Sequence, residues 1–248
     1  MRVLVAGATG ATGKLLVKQL LAKGTMVRAI VRSPGKLTES VGAHPQLELI
    51  EASVSRLKNH ELEEIVADCE AIAICLGHVP NLKGIYGSPR KLVSDTTERL
   101  CNALHASRLN DSTRLVLMNT SGNRYRDLGE SLPLNQRLLI RFLRFAMPPH
   151  ADNERAAGYL RDQIGTSDPA IEWVAVRPDS LVDEPVVTEY ELYPSPINRN
   201  IFNPLSTSRI NVAHFMAELL TGQTEWNRWK GRLPLIYNSD SVKKQLIK

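Results

Sequence analysis

The chain has 248 residues, 43% of them hydrophobic and 23% charged, with a formal net charge of +5. These are the proportions of a folded globular protein, and they exclude a disordered or low-complexity chain. No apolar run approaches the roughly 18 residues that span a bilayer, so membrane insertion is not expected.

The basic residues are spread along the chain, so no nucleic-acid partner is expected. The densest group, Arg137, Arg141 and Arg144, reads as a solvated helix face or as a docking surface for an acidic partner. Cys69, Cys75 and Cys101 are odd in number and lack C-x-x-C spacing. They predict buried thiols rather than a disulfide framework or a metal site. Together with an N-terminal apolar run too short for a signal peptide, this predicts a cytoplasmic protein.

In chain order, residues 3–6 form an apolar run expected of a strand buried on both faces. Residues 7–13 follow as a glycine loop, 14–23 as an amphipathic helix and 26–31 as a second strand, which completes a βαβ unit. Strands are predicted at 47–51, 71–76, 114–118 and 171–176, with helices at 61–67, 93–107, 134–145, 153–163 and 212–220. A last apolar run occupies 233–237. This alternation predicts a single α/β domain over residues 1–248 with a Rossmann-type, doubly wound parallel sheet. Two stretches break the rhythm, 78–89 and 179–204, both rich in Pro or Gly. They are predicted as loops at the carboxyl ends of strands, where open α/β sheets bind ligands. Residues 179–210 are expected to supply the substrate side.

Gly7-Ala8-Thr9-Gly10-Ala11-Thr12-Gly13 is a G-x-x-G-x-x-G pattern set between a strand and a helix. One glycine permits a tight turn, another lets backbone N–H groups approach a pyrophosphate, and the last permits close helix–strand packing. The positive end of the following helix completes an anion site. Lys14 is followed by Leu15, which disfavours a P-loop. At the end of the second strand, an NAD-specific site usually carries Asp or Glu for the ribose 2′-hydroxyl. Here the chain reads Arg32-Ser33-Pro34-Gly35-Lys36. Arg32 is suited to pair with a 2′-phosphate, with Ser33 and Lys36 as further donors, so NADP(H) is favoured over NAD(H).

These motifs resemble the atypical short-chain dehydrogenase/reductases, in their NAD(P)H-binding, NmrA-like and flavin (biliverdin) reductase-like branch. The resemblance rests on V-L-V-A-G-A-T-G-A-T-G at 3–13, V-R-S-P-G-K-L at 31–37 and N-T-S-G at 119–122. It also rests on W-V-A-V-R-P at 173–178 and S-R-I-N-V-A-H-F at 208–215. It implies that Gly10, Ala11 and Thr12 hold the pyrophosphate, with Gly7, Thr9 and Gly13 shaping the loop, and that Arg32 meets the adenosine phosphate. Leu76 and Gly77 would lie along the cofactor, Asn119, Thr120 and Ser121 beside the nicotinamide, and Pro178 at the start of the substrate pocket.

The chain also departs from that family. No Tyr is followed by Lys four residues on in the helix expected to carry the pair; Tyr159 with Gln163 is the nearest match and reads as a packing residue. The third strand ends Glu51-Ala52-Ser53, where relatives often carry Gly-Asp. Ser121, His78, Tyr86 and Tyr125 remain as candidate groups at the nicotinamide, and Asp152 and Asn153 as possible lining residues. Two readings follow. One is an NADPH-dependent oxidoreductase passing hydride to a small planar acceptor such as a quinone, flavin or carbonyl compound. The other is a non-catalytic NADP(H)-binding sensor or regulatory protein. Sugar-nucleotide epimerisation is a weaker third.

Overall fold

The alternation of short apolar and amphipathic segments becomes a sheet clothed by helices on both faces. The computed structural model describes residues 1–77, 90–107, 112–123, 148–197 and 204–246. Its first half runs β1 (Arg2–Ala6), α1 (Ala11–Ala22), β2 (Met26–Val31), α2 (Pro34–Val41), β3 (Leu47–Glu51), α3 (Asn59–Val66), β4 (Ala71–Ile74) and α4 (Leu92–Ser107). The second half continues with β5 (Thr113–Met118), α5 (Pro148–Tyr159), a π-helical turn at Leu160–Ile164, β6 (Ile171–Pro178), β7 (Ser180–Val182) and β8 (Tyr190–Tyr193). It closes with β9 (Ser206–Ser208), α6 (Arg209–Thr221), α7 (Gln223–Trp229), β10 (Leu235–Asn238) and α8 (Ser239–Leu246).

Eight strands form one sheet in the order β3-β2-β1-β4-β5-β6-β10-β8. Every pairing in it is parallel except that of the edge strand β8, which lies antiparallel to β10. β7 and β9 make a separate two-stranded parallel ribbon. This is a Rossmann-type α/β fold with an antiparallel edge.

The strands load both faces because successive side chains point to opposite sides. Val3 and Val5 of β1 and Ala71 and Ala73 of β4 enter one apolar layer, where α1 and α6 lie side by side with Leu16, Leu20, Phe215 and Leu219. Leu4, Ala6, Ile72 and Ile74 enter the other, against Leu62 of α3, Leu100 and Leu104 of α4 and Leu160. All four residues of β4 are buried, which explains why its sequence reads as an unbroken apolar run.

The structure corrects several expectations. Helix α1 begins at Ala11 rather than residue 14, so the last glycine of the motif lies inside its first turn. Pro34 sits at the start of the unpredicted helix α2, where its fixed φ and missing N–H are tolerated. The helix expected at 153–163 starts five residues earlier, at Pro148. Residues 179–204, read as a loop, contain β7 and β8. Tyr190 and Leu192 of β8 face the core, an alternation that flanking prolines masked in the sequence. Helices α7 and α8 also went unread. The predicted helix at 134–145, with Arg137, Arg141 and Arg144, and the stretch 78–89 lie outside the described residues. No described helix is long and apolar enough to cross a membrane.

Candidate functional site

Strand order reverses between β1 and β4, so the chain leaves their carboxyl ends in opposite directions and opens a crevice there. Both strand ends are held together, since the Cys75 N–H donates to the Ala6 carbonyl at 2.8 Å. The glycine loop fills the mouth of this crevice, and its three glycines do different work.

Gly7 has φ +87°, in the left-handed region, and a Cβ there would stand 2.6 Å from the Cys75 carbonyl oxygen. It allows both the turn and the contact with the end of β4. A Cβ on Gly13 would stand 2.1 Å from the Gly7 carbonyl oxygen, so α1 can pack this closely only with glycine there. Around Gly10 the space is looser, with the Gly7 oxygen at 3.2 Å from the same hypothetical atom. Gly10 caps α1 without a side-chain hydrogen bond, and its own N–H donates to Gly7 at 3.0 Å. The N–H groups of Ala11, Thr12 and Gly13 therefore have no carbonyl of their own helix to donate to.

The first turn of α1 carries no acidic residue, although the helix dipole would favour one. An acidic side chain there would repel a pyrophosphate, and the small residues present leave the backbone accessible. Thr9 and Ala11 are exposed at this surface and Thr12 is buried. The cradle thus fits a dinucleotide's phosphates in shape and in charge. Leu76 is half-buried beside the loop, and Gly77 is exposed with open space where a Cβ would be. Cys75, at the same edge, is fully enclosed, and burial pushes its thiol up to about 12. It is no thiolate nucleophile near neutral pH.

The crevice continues past the ends of β2 and β3. Arg32 is exposed there and lines an open cleft of about 570 Å³ together with Glu51, Ser53, Ser55, Arg56 and Glu61. Among the described residues Arg32 makes no hydrogen bond or ion pair. Ser33 and Lys36 are exposed at the start of α2 and stand outside the wall of this cleft.

At the other end, Asn119–Gly122 leaves β5 toward the same edge of the sheet. Asn119 is buried and fully engaged. Its Nδ2 donates to the Asn153 carbonyl at 2.8 Å, and its Oδ1 accepts from the Thr120 N–H and from Asn123. Thr120 accepts from the Gly122 N–H at 3.2 Å. Ser121 donates from its backbone N–H to the Pro178 carbonyl at 2.9 Å and from its hydroxyl to Asp179 Oδ1 at 2.8 Å. The second oxygen of Asp179 accepts from the Leu205 N–H at 3.0 Å. One carboxylate therefore ties the turn after β5 to the residues that lead into β7 and β9. Pro178 is buried at the end of β6.

Two candidates leave the pocket and three lie outside the described residues. Asp152 does not line a cleft. It is fully buried and its carboxylate accepts from the backbone of Val93 and Ser94 and the Ser94 hydroxyl, capping the start of α4. Tyr159 packs in the apolar layer near Cys101 and Asp168, and burial pushes its phenol up to about 12. Asp168 binds the backbone of Ala170 and Ile171 at the start of β6, so Tyr159 belongs to the opposite edge of the sheet from Asn119. His78 and Tyr125, like Tyr86, lie outside the described residues.

Sequence reading missed His150. It stands in the first turn of α5, half-buried, and a Cβ on Gly122 would be 2.9 Å from its Nε2. Pro148-Pro149 was the available signal, because prolines begin helices readily, and a helix starting there brings His150 to the turn after β5.

The match to known proteins agrees with this geometry. Residues 7–223 fit the model of a family described as NAD(P)H-binding. The chain is 24% identical over 261 residues to tetraketide alpha-pyrone reductase 1 of Arabidopsis thaliana, covering 99% of this chain and 72% of that protein. A chloroplastic Arabidopsis protein described as uncharacterized is 40% identical over 74 residues, a match spanning only 26% of its length and 30% of this chain. Among solved structures, a wide-type short-chain dehydrogenase/reductase from Veillonella parvula in complex with NADP superposes with a TM-score of 0.69 at 17% identity, over 97% of this chain and 95% of that one. The protein belongs to the NAD(P)H-binding family and shares the fold of that short-chain dehydrogenase/reductase.

Proposed function

We propose that the protein is an NADPH-dependent oxidoreductase that reduces a small planar acceptor, such as a quinone, flavin or carbonyl compound. The observation that carries this reading is Arg32, an exposed guanidinium without a partner among the described residues, at the adenosine end of a crevice whose mouth is glycine backbone. A guanidinium there favours the 2′-phosphate of NADP(H), where an acidic residue would favour the free hydroxyl of NAD(H).

Bound NADPH supplies a hydride, and the acceptor takes that hydride together with a proton. Ala11, Thr12 and Gly13 present N–H groups to the pyrophosphate, while Gly7 and Thr9 shape the approach. Leu76, Gly77, Thr120 and Pro178 border the nicotinamide half. Ser121 and Asp179 position the turn after β5, and residues 179–210 wall the substrate side. His150 is the group we assign to proton exchange, because an imidazole transfers protons near neutral pH and this one lies against Gly122. His78 and Tyr125 are further candidates for that pocket.

A second reading is a non-catalytic NADP(H)-binding sensor. It is favoured by the burial of Tyr159 at the far edge and by the engagement of the Ser121 hydroxyl with Asp179. Titration with NADPH and NADH, followed by turnover with a panel of quinones, flavins and carbonyl compounds, separates the two. The reductase reading expects NADPH to bind more tightly than NADH, this preference to be lost in Arg32→Gln, and NADPH to be consumed with at least one acceptor. Tight binding without turnover on any acceptor favours the sensor.

A further inference from the structure

The cleft beyond β2 holds a second arginine that no motif announces. Arg56 comes from the turn between β3 and α3 and lines the same cleft as Arg32. Like Arg32 it is exposed, and among the described residues its guanidinium has no hydrogen-bond or ion-pair partner.

The turn that carries it is firmly held. The Arg56 and Leu57 N–H groups both donate to the Ser53 carbonyl, at 2.8 and 3.2 Å. Arg99 of α4 reaches across to the carbonyls of Val54 and Leu57, and Val54 itself is buried. Glu61 closes the other side by accepting from the Lys58 N–H. The backbone is thus braced from three directions while the Arg56 side chain is left for the cleft. The hydroxyls of Ser53 and Ser55 lie 3.0 Å apart on the same wall and add donors.

Charge counting shows why one guanidinium is insufficient. Glu51 and Glu61 both line the cleft, so Arg32 alone would leave it with net negative charge. Arg56 brings the wall to neutrality and adds a second bidentate donor, which a phosphate dianion needs to enter beside two carboxylates.

We propose that Arg56 is the second arm of the 2′-phosphate site, closing on the phosphate from the β3–α3 turn while Arg32 holds it from the end of β2. This rests on the NADP(H) reading above and names a residue that determines it. Ser53, Ser55 and Arg56 all come from the β3–α3 turn and Arg32 from the end of β2, so phosphate selectivity is shared between two loops rather than assigned to one.

The test is calorimetric titration of the full-length protein with NADPH, NADH and 2′,5′-ADP, comparing wild type with Arg56→Gln, Arg56→Lys and Arg32→Gln. Losing a charge-assisted contact to the phosphate should weaken NADPH and 2′,5′-ADP binding by about tenfold or more in Arg56→Gln and leave NADH nearly unchanged. Arg56→Lys should recover part of the loss by restoring the charge without the fork. Thermal melts should match wild type, since among the described residues the side chain has no hydrogen bond or ion pair to lose. If wild type shows no preference for NADPH, the NADP(H) reading fails and this inference with it. If the preference is present and vanishes in Arg32→Gln but survives in Arg56→Gln, the reading stands and the role of Arg56 is overturned. Equal weakening of NADPH and NADH in Arg56→Gln also overturns it.

Discussion

The two ends of the crevice are built by different means. At the phosphate end, the working parts are backbone: Gly7 against the Cys75 carbonyl, Gly13 against the Gly7 carbonyl and the N–H groups that open α1. At the end proposed for the acceptor the parts are side chains drawn from distant positions. Ser121, Asp179 and Leu205 meet there, as do Thr207 with the Ile236 carbonyl and Asn211 with Asn238. A backbone site depends on what is missing from a few adjacent residues. A side-chain network depends on what is present at positions that only folding brings together. The first tolerates almost no added volume, and the second almost no lost partner.

The largest effect tests the first half of that contrast. Gly13→Ala places a methyl 2.1 Å from a backbone oxygen that no rotamer change can move. We expect about 3 kcal/mol or more of destabilisation by chemical denaturation, and loss of dinucleotide binding. Gly77→Ala, where the space is open, should leave stability near wild type. Equal effects at the two positions would dissolve the distinction between packed and merely permissive glycines.

Next is His150→Gln, which removes the proton-exchanging group assigned beside Gly122. For a carbonyl or quinone acceptor, kcat should fall by about a hundredfold while NADPH binding stays close to wild type. A fall in binding instead of kcat would make His150 a cofactor contact. Asp179→Ala probes the side-chain network by stranding the Leu205 N–H and freeing the Ser121 hydroxyl. A cost of about 2 kcal/mol is expected in denaturant unfolding, with a larger change in acceptor KM than in NADPH affinity. A loss confined to NADPH affinity would move Asp179 to the phosphate end of the comparison.

The smallest effect concerns neither end. Burial raises the Tyr159 phenol from its ordinary 10 to about 12, so the folded state favours the protonated form. The associated stability is fully present below pH 10 and is lost as pH rises from 10 through about 12. Denaturation midpoints of Tyr159→Phe should therefore fall less steeply over that window than those of wild type. An identical slope would mean that Tyr159 titrates normally and is not the partly buried packing residue described.

Much of the phosphate end was legible because its requirements are local. Strand, glycine spacing and helix follow one another within residues 2–22, and the roles of Gly10 and Gly13 follow from contacts inside the loop, while the close approach of Gly7 to the Cys75 carbonyl comes from the fold. Arg32 became a candidate for the same reason, one step past β2. The end proposed for the acceptor was hidden. Nothing near Ser121 in the chain points to Asp179, and the alternation that makes Tyr190–Tyr193 a strand is short and flanked by prolines. Asp152 looked like a pocket residue because it begins a helical pattern near the right loop, yet the nearest unsatisfied groups were the N–H groups of α4.

By itself, then, the sequence determined the fold class, the βαβ start and the family of cofactor, since periodicity and glycine placement act within a few residues of one another. Only the tertiary structure decided which wall Arg56 joins, where His150 stands and what the Ser121 hydroxyl binds. These depend on how strands pair and helices begin, and therefore on contacts between residues tens of positions apart.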